Sequence, residues 1–365
     1  MDKLKRIYDT FVSSGRFISA TPYGSGHIND TYLVKVDEDV EYILQRINGN
    51  VFKDIPKLVR NKELVCGHIR NRLIRHKVSD ITRKYITYFY TDKGNAYYKD
   101  YEGNYWTLSL FIKGSKSYDV IPNSQIAYQV GIGFGEFENR ISDFDSKLLI
   151  ETIPLFHNVP RRQRELKEAL SKARPDRIEA SKELLEYLKK FDNKMLELQQ
   201  MKDEGILPLR VTHNDMKANN LLFDHNDHPL CVIDLDTVMP GLSLYDFGDS
   251  IRFGAATAPE DEPNVDKMGL DLHLFEIYTR GYMEACPSLT QKEIEMLPTG
   301  AKILTLELAV RFLTDYLDGD RYFKADYPEH NLVRARAQMK LVADMEEKWE
   351  EMNRIVARVA RQVRS

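Results

Sequence analysis

Polar and apolar residues alternate with period two along Asp30 to Val36 (D-T-Y-L-V-K-V) and again along Glu41 to Ile47 (E-Y-I-L-Q-R-I). The acidic stretch Asp37-Glu38-Asp39 separates them, so the pattern predicts a hairpin of two half-buried strands. A strand over Ser19 to Tyr23 leads into a glycine turn ahead of it. A helix follows from Pro56 to about Leu73, with Leu58, Val59, Leu64, Val65 and Ile69 near helical spacing. Two further strands are predicted at Tyr85 to Tyr90 and Tyr105 to Phe111, with a polar turn around Asp100 to Asn104. Beyond Gly114 the period changes to that of helices: Ser124 to Arg140, Pro160 to Leu170, and a long one from Asp176 to Met201. Short apolar runs return at Leu221 to Phe223 and Cys231 to Leu235. Helices resume at Asp266 to Ala285, Leu304 to Leu317 and Asn331 to Val359. The shift near residue 112 predicts an α+β chain of two parts: a small sheet lobe over 1–112 and a larger, mainly helical lobe over 113–365.

Composition narrows the class without naming it. The 365 residues are 42% hydrophobic and 30% charged, which excludes a disordered or low-complexity chain. A formal charge of −4 leaves no basic field for nucleic acid or an anionic membrane. No run approaches the ~18 uncharged apolar residues of a membrane helix. The first eight residues are charged and lack the apolar core of a signal peptide, and Cys66, Cys231 and Cys286 form no paired framework. The expectation is a cytoplasmic protein with reduced thiols, engaging neither nucleic acid nor membrane.

The chemistry concentrates in residues 211–236. There His213, Asp215 and Asn220 form H-x-D-x-x-x-x-N, and Asp234 ends the apolar run Cys231 to Ile233. Two short strands joined by a polar loop would carry Asn220 and Asp234 to one mouth, near Asp215. Phosphoryl transfer from a nucleotide uses this set: a carboxylate to take the proton of the attacking hydroxyl, and an amide and a second carboxylate to hold magnesium through hard oxygen atoms. Asp215 is the candidate base, with Asn220 and Asp234 the candidate metal ligands; an Asx-rich turn would explain neither the histidine nor the second acid. His213 reads as a structural hydrogen-bonding residue. Asp236 reads either as a helper at the metal or a substrate hydroxyl, or as an exposed acid. Asp246, within Tyr245-Asp246-Phe247-Gly248, reads either as a buried carboxylate under the catalytic loop or as a helix N-cap.

The sheet lobe is the expected nucleotide side. Gly24, Ser25 and Gly26 sit in a turn between strands, where glycines let backbone N–H groups approach phosphates. A cation from the following hairpin should face those phosphates. Lys35 is a candidate and Arg46 a better one, with Glu63 on the helix as its expected partner. H-E-x-x-H, G-x-S-x-G and the P-loop pattern are all absent from the sequence.

With these residues in view, the chain resembles small-molecule kinases of the aminoglycoside phosphotransferase/choline kinase type, relatives of the protein kinases. The resemblance rests on His213-Asn214-Asp215 to Asn220, Ile233-Asp234, Tyr245-Asp246 and the strand Ile43-Leu44-Gln45-Arg46-Ile47. Within that superfamily it is similar to N-acetylhexosamine 1-kinases. That similarity runs through Gly24 to Tyr32, Asp234 to Gly241, Tyr245 to Asp249 and Arg311 to Leu317. The resemblance implies a bilobal fold in which a sheet with one helix covers ATP. The backbone of Phe111 and Ile112 would serve as adenine hinge, with Mg2+ as the second cofactor. It implies transfer of the γ-phosphoryl of ATP to the anomeric hydroxyl of N-acetylglucosamine or N-acetylgalactosamine. Arg311 would reach the sugar, with Asp315 four residues on as its partner unless the ligand takes that role. His27, Asp236, Phe247 and Tyr316 would lie around the sugar with Asp215; for the aromatics, core packing is the other reading. Choline, ethanolamine, homoserine or an aminoglycoside are alternative acceptors, and a nucleotide-binding pseudokinase is the non-enzymatic one. Oligomeric state is left open between monomer and homodimer.

Overall fold

The computed structural model describes residues 2–24 and 28–364; Ser25, Gly26 and His27 of the glycine turn lie outside the described residues. The chain divides into two compact units that are not contiguous halves. The first is Met1–Ser117 together with Asp143–Pro154 and Asn220–Pro240; the second is Tyr118–Ser142, Leu155–Asn219 and Gly241–Ser365. The composition shift near residue 112 therefore marks one crossing between units, but the chain returns to the first unit twice.

In the first unit a short helix, α1 (Asp2–Tyr8), precedes β1 (Phe17–Pro22), β2 (Asp30–Val36) and β3 (Glu41–Ile47). Helix α2 (Ile55–Arg75) follows, then β4 (Tyr88–Phe89), β5 (Tyr98–Lys99) and β6 (Tyr105–Leu110). The strands form one antiparallel sheet in the order β1-β2-β3-β6-β4, with β5 also paired to β6. The sheet thus has two helices rather than the single one expected. Alternation along β3 sends Tyr42 and Leu44 into a core with Ile7, Tyr8 and Phe11 of the α1 region, Val34, Trp106 and Leu108. Ile47, on the other face, joins Ile55, Leu58 and Val59 of α2. Asp54 starts α2 by accepting a hydrogen bond from the Lys57 N–H, and Pro56 fits its first turn.

The second unit is helical: α3 (Ser124–Arg140), α4 (Val159–Lys172), α5 (Pro175–Leu188), α6 (Glu197–Asp203), the strand β7 (Arg210–Thr212) and then the catalytic-loop sequence. The chain passes through β8 (Leu221–Phe223), β9 (Pro229–Val232) and β10 (Met239–Gly241). It then resumes helices α7 (Ser243–Gly254), α8 (Leu272–Ala285), α9 (Gln291–Glu295), α10 (Leu297–Leu317), α11 (His330–Glu347) and α12 (Trp349–Arg364). Helix α10 is buried nearly all round, packed by α4, α7 and α11. The long helix expected over Asp176 to Met201 is interrupted by two 3-10 turns on either side of Asp192-Asn193, both weak helix formers. The one expected over Asn331 to Val359 breaks at Lys348. Among the described residues no helix is long and apolar enough to cross a membrane. Cys66, Cys231 and Cys286 are buried, with no disulfide among the described residues, and burial pushes the Cys66 thiol up to about 12.

Candidate active site

In the second unit, β7 delivers the chain into His213-Asn214-Asp215, with Asn214 in the left-handed region (φ 64°). A tight turn like this leaves backbone N–H groups aimed inward, and Asp246 on α7 meets them. Its carboxylate accepts from the N–H of His213 at 2.7 Å and of Asn214 at 2.6 Å. Asp246 has no solvent exposure, and burial pushes its pKa up to about 7, against the pull of His213 and the two N–H donors. The His213 ring is equally buried, accepts the Asp215 N–H at its Nδ1 (3.2 Å) and sits edge-on to Phe137. Ser250 Oγ donates to the Met216 carbonyl, so α7 grips the loop at three successive points.

Asp215 itself is part-exposed and pairs with Lys217 at 2.7 Å. Lys217 did not emerge from the motif, although it lies two residues from the candidate base. Burial works to lower its pKa, but Asp215 and Asp249 outweigh that and raise it. The ammonium stays charged beside the carboxylate.

The metal-ligand candidates belong to the first unit. Strands β8 and β9 pair antiparallel with Leu221 opposite Val232, and the Ile233 N–H donates to the Asn220 carbonyl at 2.9 Å. That register puts Asn220 and Asp234 at the same open end of the hairpin. Asp234 is exposed and takes a left-handed backbone (φ 59°, ψ 59°), which turns its carboxylate off the line of β9. The hairpin also meets the expected hinge, where Ile112 packs with Leu230 and Cys231. The Phe111 N–H donates to the Glu41 carbonyl at 2.9 Å, so that hinge donor is already engaged, and the Phe111 ring stands edge-on to Tyr23. Gly24 has a positive φ (80°) that suits glycine alone at low cost.

Several expected roles need correction. The pair Arg46–Glu63 does not form. Arg46 donates to Asp30 across the hairpin at 2.6 Å and to Asn104, while Glu63 contacts Tyr90. The reason is the period of the strand: Arg46 shares a face with Tyr42 and Leu44, away from α2. The buried cation on α2 is instead Lys62, whose ammonium pairs with Asp236. Asp236 is therefore buried rather than exposed, and it also accepts from Asn29 at 2.5 Å within the first unit.

Phe247 is a core residue, wholly buried against Phe275, Tyr278 and Tyr282 of α8. Asp315 does not pair with Arg311. Its carboxylate accepts the N–H groups of Arg321, Tyr322 and Phe323 and the Asn331 amide, holding the loop after α10. Tyr316 is buried beneath the Arg177 guanidinium, 4.5 Å from its ring centroid.

Arg311 is half-buried among Phe156, Phe323 and Tyr322, its guanidinium 4.9, 5.5 and 6.0 Å from their ring centroids. Its acidic neighbour is Glu307, one turn earlier rather than one turn later. Glu307 is fully buried and takes His157 Nδ1 at 3.0 Å and Arg162 Nε at 3.5 Å. Burial would raise the Glu307 carboxyl, but His157, Arg311 and Arg162 hold it below the usual range. The Arg311 guanidinium is lowered too, by burial and by the like charge of Arg162. Glu307, His157 and Arg162 escaped the sequence reading; the only signal was a charged E-x-x-x-R pair inside an otherwise apolar helix.

The overall fold is similar to an aminoglycoside phosphotransferase from Alicyclobacillus acidocaldarius subsp. acidocaldarius, with 12% identity, coverage of 98% of this chain and 96% of that one, and a TM-score of 0.56. A spectinomycin phosphotransferase solved with ADP and spectinomycin matches at 12% identity, 96% and 98% coverage and a TM-score of 0.58. Plasmodium vivax ethanolamine kinase matches at 12% identity, 91% and 84% coverage and a TM-score of 0.56. At such identities the likeness is one of fold. The sequence model described as "Phosphotransferase enzyme family" matches residues 19–280, a stretch holding the clamped His213–Asp215 loop, the Asn220/Asp234 hairpin and Asp246. The chain belongs to that phosphotransferase family.

Proposed function

We propose that the protein is an ATP- and Mg2+-dependent kinase of a small-molecule alcohol, and that its acceptor is the anomeric hydroxyl of an N-acetylhexosamine, N-acetylglucosamine or N-acetylgalactosamine. The observation that carries the kinase reading is the catalytic loop, whose backbone is pinned by a buried carboxylate while Asp215 stays reachable and paired with a lysine.

In the reaction the acceptor oxygen bonds to the γ-phosphorus as its bond to the β,γ-bridging oxygen breaks, and ADP leaves. Asp215 orients the hydroxyl and takes its proton. Lys217 keeps a positive charge beside Asp215, offsetting charge on the transferred group. Asn220 and Asp234 suit magnesium, since both offer oxygen and that ion takes few protein ligands, filling its shell with water and phosphate oxygens. Magnesium bound there would neutralise charge developing on the phosphates. Asp246 fixes the loop so that this geometry needs no rearrangement during transfer.

For the acceptor, support comes from the cluster on α10, on the first turn of α4 and just before it. Arg311 and Arg162 donate, Glu307 accepts, and the rings of Phe156 and Phe323 offer flat apolar faces. Such a mixed set suits a neutral polyol with an amide. Choline, ethanolamine and aminoglycosides would bring a cation against two arginines, which repel it. The test is a panel of these sugars and amino alcohols incubated with ATP and magnesium, with the product read by phosphorus NMR. A sugar 1-phosphate is the expected product. Phosphorylation of the amino alcohols alone would replace the sugar reading, and no phosphorylated alcohol at all would remove the kinase reading.

A further inference from the structure

Helix α2 carries its apolar stripe at helical spacing through Ile55, Leu58, Val59, Val65, Cys66, Ile69 and Leu73, all buried. Position 62 falls on that stripe, where a leucine would be expected, and Lys62 occupies it with 2% exposure. Its ammonium pairs with Asp236, itself 4% exposed. A buried ion pair of this kind is no stability device: replacing both members by apolar residues of similar size is often neutral or stabilising, whereas removing one alone is strongly destabilising. Something other than stability explains its presence.

The location supplies that explanation. Asp236 lies in the single 3-10 turn Leu235–Thr237 that follows immediately on Asp234, the metal-ligand candidate with the left-handed backbone. The adjacent α2 residue, Asn61, donates to the Val238 carbonyl at 2.9 Å and to the Ile150 carbonyl at 2.8 Å. Two consecutive side chains of one helix therefore hold the turn at residues 236 and 238. Asn29, from the end of the glycine turn, holds the other oxygen of Asp236 and accepts the Asn48 N–H. Arg46, the cation expected here, lies on the opposite face of β3 with Asp30.

We propose that Lys62 is a positioning residue of the metal site: through Asp236 it fixes the turn from which Asp234 presents its carboxylate to a nucleotide-bound divalent cation. The proposal rests on the kinase reading above. It gives α2 a part in metal binding, and its effect is confined to magnesium-dependent binding.

The test compares wild type with Lys62→Met, Lys62→Arg and the double variant Lys62→Met/Asp236→Leu. A fluorescent ADP analogue is titrated at a series of magnesium concentrations, alongside thermal melts. The double variant, with no lone buried charge, is expected to melt at or above the wild-type temperature. It is also expected to need at least tenfold more magnesium for half-maximal nucleotide binding, with magnesium-free binding and the acceptor KM within twofold of wild type. Lys62→Arg, which keeps the charge, should recover part of the loss. Wild-type magnesium dependence in a folded double variant would overturn the proposal, and so would an equal loss of nucleotide affinity with and without magnesium. Failure of the kinase reading is separately visible, because the wild-type protein would then show no magnesium-dependent nucleotide binding at all.

Discussion

Asp246 shows how much one carboxylate does when it is buried under a strained loop. It satisfies two N–H groups that the His213–Asp215 turn leaves pointing inward, and each would cost about 1–3 kcal/mol unsatisfied. Its pKa is raised, so the folded state holds its proton to higher pH than the unfolded chain does. The stability it contributes is complete below about pH 4, the unfolded value, and declines as pH rises through about 7. Asp246→Asn removes that dependence. The variant is expected to lose more stability relative to wild type at pH 5 than at pH 8, by chemical denaturation; an equal loss at both would mean the carboxyl titrates normally. At the other site, Arg311→Ala should raise the acceptor KM tenfold or more while leaving nucleotide affinity within twofold, measured by steady-state kinetics. An unchanged acceptor profile would put Arg311 outside acceptor binding. The motif residues were legible because H-x-D-x-x-x-x-N and the second acid are local patterns. Glu307 and Lys62 were not, because each is a charge set in a mostly apolar helix face. Its partner lies outside that face: Asp236 is 174 positions along from Lys62, and His157 is 150 positions before Glu307.

At the level of elements, period-two alternation gave β2 and β3 to the residue, and helical spacing gave α3. The same alternation already assigned Arg46 to the face of Tyr42 and Leu44; reading it as a partner of α2 meant setting that period aside. Phe247 could not be assigned in this way, because α7 is buried on almost every side and carries no readable stripe. Glycines in α3 are another feature whose meaning needed the fold. A Cβ on Gly131 would stand 2.4 Å from the Tyr278 carbonyl oxygen, and one on Gly135 2.5 Å from that of Tyr282. From the facing helix, a Cβ on Gly281 would stand 2.4 Å from the Tyr128 carbonyl. Helices α3 and α8 thus touch backbone to backbone, and no flexible side chain is there to yield. Gly131→Ala should destabilise the protein by about 1–3 kcal/mol despite alanine's better helix propensity. A rise in melting temperature would show that the helices can part without cost.

Across the whole chain, the division into units explains why a linear reading found a boundary but not the partition. Residues 220–240 lie far past the composition shift, yet their hairpin packs with the hinge residue Ile112, and their turn is held by α2. A hairpin that buries four successive residues of β9 has no preference by sequence for one unit over the other; its partners decide. Metal-ligand candidates and candidate base are thereby sorted into different units, with Asn220 and Asp234 in one and Asp215 in the other. The account accordingly expects binding and transfer to be separable by mutation. The most direct measurement is transfer of a radiolabelled γ-phosphoryl group from ATP to N-acetylglucosamine by wild type and Asp215→Asn side by side, with nucleotide affinity measured on the same preparations. The account predicts nucleotide affinity within twofold and transfer slower by about a thousandfold or more in the variant. Transfer by Asp215→Asn at the wild-type rate would contradict it.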